Sequence, residues 1–146
     1  MTVPPNNNSY RAFENLLKGD ILLWKRYRFE NGNTKSKYIL ILSSCINNKY
    51  YIYTLPTSHL FFYKNSRNRI DVVFLSRKEV KFLPLGTAID LKHIRTERAS
   101  IISIRMEDNI LVKIGRLPKS IINRIDYAVD NSKTLSPEQQ KFILGD

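Results

Sequence analysis

Basic, hydroxyl and aromatic side chains crowd into a few short stretches of this chain. Residues 18–44, "KGDILLWKRYRFENGNTKSKYILILSS", hold two apolar runs parted by a charged turn, with Lys35, Ser36 and Lys37 at the turn's exit. Residues 61–69, "FFYKNSRNR", set Lys64, Arg67 and Arg69 beside Phe61, Phe62 and Tyr63. Cations next to aromatic rings are what single-stranded RNA recognition uses, through phosphate contact and base stacking. Phe61 and Phe62 equally suit a core. Arg26 and Arg28 around Tyr27 raise the same pair of readings.

The whole composition points the same way. The chain has 146 residues, with 24 Lys and Arg against 13 Asp and Glu, a net charge of +11. A balance this basic attracts polyanions by steering and counterion release, so nucleic acid is the expected partner or substrate. At 42% hydrophobic residues the chain is long and apolar enough for one domain with a real core. Cys45 is the single cysteine, so no internal disulfide forms, and no Cys/His cluster has zinc spacing. The start, "MTVPPNNNSY", lacks the pattern of a signal peptide, and no apolar run approaches the roughly 20 residues of a membrane helix. The expectation is a cytoplasmic protein without cofactor, metal or membrane contact.

The elements that must position these residues follow from periodicity and turn chemistry. Residues 1–9 read as a flexible arm and 10–17 as a short helix ended by Gly19-Asp20. Residues 21–29 read as a strand, 30–37 as a polar hairpin loop around Asn31-Gly32, and 38–43, "YILILS", as a buried strand. "CINNK" is a turn and residues 50–58 a strand that Pro56 ends or bulges. Residues 59–69 read as a long loop and "IDVVFL" as a strand. Residues 87–94, "TAIDLKHI", read as one more, with Ala88, Asp90 and Lys92 on one face and Ile89, Leu91 and His93 on the other. "ILVKIG" is the last. Ile121, Ile122, Ile125, Ala128 and Val129 recur at helical spacing after Pro118. Ser136, Pro137 and Gln139 then open a short helix that Gly145 stops. Five to seven short strands and one main helix suggest a bent antiparallel sheet or small barrel.

The order of these motifs resembles the MazF/PemK family of toxin endoribonucleases. "KGDILLW" resembles the family's opening Gly-Asp strand, and "KYILILSS" its second strand, which normally starts Arg-Pro. "YIYTLPTS" resembles its third strand, closed by Thr or Ser. "TAIDLKHIRTE" followed by "KIGRLPKSIINRIDYAV" resembles the Ile-Arg-Thr strand and the Lys-Ile-Gly-x-Leu entry into the long helix. The likeness spans residues 18–130, although 59–84 and 98–110 are longer than the family pattern. It implies a mainly β fold with helices, an SH3-like small barrel packed by a long C-terminal helix, over the single domain 1–146. It also implies a homodimer and an antitoxin partner.

The resemblance further implies metal-independent cleavage of single-stranded RNA, in which the substrate's 2′-OH attacks the adjacent phosphate. Such a site needs a proton acceptor, a proton donor for the leaving oxygen, and a cation for the crowded phosphate. Thr57 matches the family's closing Thr, with Ser58 beside it; their hydroxyls could bond a phosphate oxygen, or only cap the turn after Pro56. Lys37-Tyr38 stands where Arg-Pro is expected. Lysine keeps the charge but loses the planar fork that grips phosphate with two parallel bonds. His59 has the chemistry for proton transfer, or is an ordinary loop histidine. His93 is expected to pack in its strand. Arg95 matches the family's Ile-Arg-Thr; it contacts RNA, or pairs with Asp90 or Glu97. Lys35, Arg26, Arg28, Lys64, Arg67, Arg69 and Arg95 are thus the candidate RNA contacts, and Lys37, Thr57, Ser58 and His59 the candidate catalytic group. Two other readings stay open: a non-catalytic toxin like the CcdB family, which traps a protein target such as gyrase, and an inactive homologue that only binds RNA.

Overall fold

A computed structural model describes residues 16–83 and 86–145. The expected arm at 1–9 and most of the helix at 10–17 lie outside the described residues. Seven strands form two antiparallel sheets: β1 (Asp20–Arg28), β2 (Thr34–Ile41), β3 (Tyr50–Thr54), β4 (Val72–Leu75), β5 (Thr87–Asp90), β6 (Ile94–Arg98) and β7 (Leu111–Arg116). The five-stranded sheet runs β6-β3-β2-β1-β7, and β4 and β5 make a two-stranded one. Three helices are described, α1 (Ala99–Glu107), α2 (Lys119–Asp130) and α3 (Pro137–Leu144). The architecture is mixed α/β, and the two sheets do not form a closed barrel.

The apolar run of β2 is continuous because the large sheet is covered on both faces. Leu40 joins Ile21, Ile52, Val73, Ile89, Ile121 and Ile125 in one cluster, beneath the small sheet, α2 and α3. Ile39 and Ile41 point the other way, with Leu22, Trp24, Tyr27, Tyr53 and Ile102, under α1. α2 buries Ile121, Ile125 and Val129, the stripe that its spacing foretells. α3 starts with the expected capping box: Ser136 Oγ accepts from the Gln139 amide at 3.1 Å, and the Ser136 amide donates to Gln139 Oε1 at 2.9 Å.

Four expectations are corrected. The hairpin loop is residues 29–33, because Arg28 pairs with Thr34 and Tyr27 with Lys35; Lys35, Ser36 and Lys37 therefore belong to β2. Part of the 59–69 loop is a 3-10 turn, Leu60–Lys64. The single strand read at 87–94 is two. β5 pairs with β4, a 3-10 turn at Leu91–His93 changes direction, and β6 joins the large sheet beside β3. Alternation fails there because Ala88, Ile89, Asp90 and Leu91 are all buried. Residues 98–109, given no helix or strand from sequence, contain α1. Its apolar residues run around the axis: Ala99 and Ile102 are buried and Ile104 is exposed, so no stripe announces it.

The Gly19-Asp20 pair is a joint between sheet and helix. Gly19 donates its amide to Ile41 O at 2.8 Å and accepts from the Leu117 amide at 2.8 Å. Its φ is +98°, and a Cβ would stand 2.6 Å from Ile122 Cδ1 on α2. Gly19→Ala combines a strained φ with a clash, and is expected to cost about 1–3 kcal/mol. The loss would be read as a lower urea midpoint with an unchanged slope.

Asp71 ties β4 to the α2–α3 connection. It accepts from Ser132 Oγ at 2.7 Å, the Thr134 amide at 3.0 Å, the Lys133 amide and the Thr134 hydroxyl. Burial opposes its charge, but these donors outweigh burial and hold the carboxyl below its ordinary value of 3.8. A depressed carboxylate stabilises the fold above the unfolded-state pKa, and that contribution is lost as pH falls through the folded one. Wild type should therefore exceed Asp71→Asn in stability, by about 1–2 kcal/mol from pH 7 down to about pH 5. Melting curves of both proteins should converge below about pH 4, since protonation removes the difference.

Candidate functional site

β3 pairs with β2 only at Leu40 and Ile41, then departs. Residues 36–38 of β2 are left with β1 alone as strand partner, and the chain at 56–59 passes beyond that open edge. The space between is a cleft of about 170 Å³, lined by Ser36, Lys37, Tyr38, Thr57, Ser58 and His59, with Leu83 and Thr87 closing it. All four candidate catalytic residues border this cleft, although the Lys37 ammonium is turned toward Phe29 on the other face of the sheet. Thr57, Ser58 and His59 arrive together because they are consecutive; Lys37 arrives only through sheet pairing.

Thr57 is held on both sides. Its amide donates to Ala88 O at 3.0 Å and its carbonyl accepts from the Ala88 amide at 2.8 Å. Thr57 Oγ1 accepts from the His59 amide at 3.1 Å. The hydroxyl thus caps the local turn as an acceptor, while its own hydrogen stays available to donate to an anion. The turn-capping reading of this residue is the one that the hydrogen bond shows. Ser58 and His59 are exposed.

Lys37 meets the expectation in part. Strand alternation puts it in step with Ile39 and Ile41, on the Trp24 face, and its Nζ lies 5.8 Å from the centre of the Phe29 ring. Ser36 and Tyr38 face the side of Leu40, where the Thr57 cleft lies. These two flank Lys37 in the sequence, which names them beside it but assigns them no role; Leu83 and Thr87 gave no signal at all. Lys35, also on β2, is exposed and forms no ion pair among the described residues.

The basic loop leaves this cleft at His59. Phe61 and Phe62 are 80% and 53% exposed, so they are not core, and Lys64 Nζ sits 4.7 Å from the Phe61 ring centre. Arg67 and Arg69 are exposed on the following turn. Asp90 and Lys92 anchor the loop from beneath. Tyr63, buried, donates its hydroxyl to Asp90 Oδ2 at 3.0 Å, and Lys92 Nζ reaches Asp90 Oδ1 at 2.9 Å and Asn68 O at 2.8 Å. Burial and then the Asp90 bond push the Tyr63 phenol up to about 12, so it stays a donor.

Two sequence expectations fail nearby. Arg95 pairs with neither Asp90 nor Glu97; Asp90 takes Lys92, and His93 Nε2 lies 3.8 Å from it. His93 is not packed, since its side chain is 70% exposed and its strand has become a turn. Arg26 and Arg28 are remote from Thr57, in a second cleft on the Trp24 face of the sheet. Among the described residues no three His, Cys, Asp or Glu gather as a metal site, and no helix is long and apolar enough to cross a membrane. Compared with protein-family models and with curated proteins, the chain has no match.

Proposed function

We propose that this protein is a metal-independent endoribonuclease toxin of the MazF/PemK kind, cutting single-stranded RNA at the Thr57 cleft. The observation that carries the reading is the gathering of Thr57, Ser58 and His59 against the Ser36–Tyr38 stretch of β2 in one small cleft, in a chain of net charge +11. In this reading the two sheets are an opened form of the family's SH3-like barrel. A second copy of the chain and an acidic antitoxin segment are its protein partners, in the cytoplasm.

The chemistry assigned is a transesterification within the RNA. The 2′ oxygen bonds to the adjacent phosphorus and the bond from phosphorus to the 5′ oxygen breaks, leaving a cyclic phosphate and a 5′-hydroxyl. His59 is exposed and beside Thr57, and carries the proton from one oxygen toward the other. The Thr57 and Ser58 hydroxyls donate to the non-bridging oxygens as charge gathers on them. Lys37 adds positive charge at the cleft edge, and the Phe61–Arg69 loop holds the strand beyond the cut by stacking and phosphate contact.

The test is incubation of the purified protein with a long unfolded RNA in EDTA. Discrete fragments ending in cyclic phosphate are expected, and intact RNA would overturn the reading. One observation favours a protein-binding, CcdB-like toxin instead: the Lys37 ammonium lies near Phe29 rather than on the Ser36 and Tyr38 side of the strand. Growth arrest with intact cellular RNA would mark that outcome.

A further inference from the structure

β1 carries an irregularity with a consequence for the second cleft. Trp24 pairs with Lys37 and Tyr27 with Lys35, so β1 spends one residue more than β2 over this interval. This is a β-bulge at Lys25-Arg26. Both bulge residues are exposed between the buried Trp24 and Tyr27. The Lys25 amide is tied to Ile110 O at 2.8 Å, and Arg26 takes φ +56°, a left-handed conformation that glycine or asparagine adopts more easily. Strain at a non-glycine residue calls for a use.

The bulge opens onto a cleft of about 510 Å³ between β1, β6 and α1. Lys25, Arg26 and Arg28 line it from β1 and Arg105 from α1, against one carboxylate, Glu97. None of the four cations makes an ion pair among the described residues. Among the described residues the Lys and Arg side chains in ion pairs are Lys18, Lys92, Lys113, Arg116 and Arg124; what sets these four unpaired cations apart is that they share one hollow. Four unmatched cations around one hollow repel each other unless an anion enters.

The floor suits a phosphate better than a base. The rings of Trp24, Tyr27 and Tyr53 are buried against one another, so no free face is offered for stacking. The Tyr27 and Tyr53 hydroxyls share one hydrogen bond of 2.7 Å. Two hydroxyls bring two hydrogens and that bond uses one, so one is left to donate. Burial, reinforced by the Tyr27 bond, keeps the Tyr53 phenol protonated.

We propose that this cleft is a second RNA site, which holds the phosphate backbone of a single strand without reading its bases, on the sheet face opposite Thr57. The polyanion's identity rests on the RNA reading above. The guanidinium forks of Arg26, Arg28 and Arg105 grip phosphate oxygens, and the floor hydroxyl completes the set. The site lengthens the strand path beyond the cut and raises affinity for long RNA over short.

The test is fluorescence anisotropy with a labelled 20-nucleotide single-stranded RNA, titrated over 50–300 mM salt (roughly the range in which phosphate contacts dominate). All proteins carry Thr57→Ala so that the RNA stays whole. Adding Arg26→Asn and Arg105→Gln is expected to raise Kd by about 10- to 100-fold. The slope of log affinity against log salt should fall by about 1.4, at about 0.7 per phosphate contact on a single strand. The melting temperature should not fall, because asparagine suits the Arg26 backbone. Unchanged affinity and slope would overturn the second site, even if the wild type cuts RNA. Arginine-dependent binding by a wild type that never cuts would keep this site and remove the nuclease. A poly-glutamate peptide displacing the probe more tightly than unlabelled RNA would overturn the proposal in favour of an acidic protein partner.

Discussion

RNA cleavage by Thr57→Ala is expected to fall by about a hundred- to a thousandfold, the range seen when one aligned donor to a developing oxyanion is removed. The fold should survive, because the ladder bonds between Thr57 and Ala88 use backbone atoms only. What disappears is the hydroxyl and its contact with the His59 amide, 3.1 Å away. Thr57→Ser restores both and is expected to recover most activity. Rates from single-turnover cleavage of a short labelled RNA would separate the two variants. Lys37→Ala should cost less, about tenfold, since its ammonium is set toward Phe29 and acts on the phosphate through charge at longer range. Full activity in Thr57→Ala would remove the hydroxyl from the chemistry.

Asp20→Ala is the stability counterpart. Asp20 is fully buried, yet its carboxylate is 2.7 Å from Arg116 Nε and 3.3 Å from Lys113 Nζ, and accepts the Leu17 amide at 2.8 Å. It fastens the start of β1 to β7. Truncation removes the acceptor of the Leu17 amide, on a residue that is itself 45% exposed, and leaves two cations turned to water. Charged hydrogen bonds are worth about 1.5–3 kcal/mol each, and breaking a buried pair about 3–5. Both cations are about 40% exposed and can resolvate, so about 3 kcal/mol is the expected loss. Urea denaturation would read it as a lower midpoint. Asp20→Asn, which keeps an acceptor for Leu17, should recover about 1 kcal/mol of that. A loss no larger than that of an exposed substitution would show that the carboxylate does not hold the two strands.

Short-range chemistry made much of this protein legible. The stripe Ile121, Ile125, Val129 specifies α2, and Ser136 with Gln139 specifies the start of α3, because a helix face and a cap each lie within a few residues. The run 38–43 specifies a strand buried on both faces. Thr57, Ser58 and His59 could be read as a group since they are consecutive, and Phe61 to Arg69 since the aromatic and basic residues interleave.

Long-range contacts decided the rest. Whether "TAIDLKHI" was one strand or two depended on β4 and β3 each claiming half of it, which no local pattern encodes. α1 forms because Ala99 and Ile102 find the Trp24 cluster, not because its own apolar residues make a stripe. The aim of Lys37 depended on register, where one step reverses every side chain. Arg105 entered the second cleft from a helix that the sequence did not announce, and the Arg26 bulge is visible only in how β1 pairs with β2. By itself the sequence determined most of the strands, the helices α2 and α3 and how basic the surface is, because periodicity, capping and charge are local or additive. Only the tertiary structure decided which cations share a cleft, which carboxylates neutralise them and which face Lys37 takes, because those depend on segments far apart in the chain coming into register.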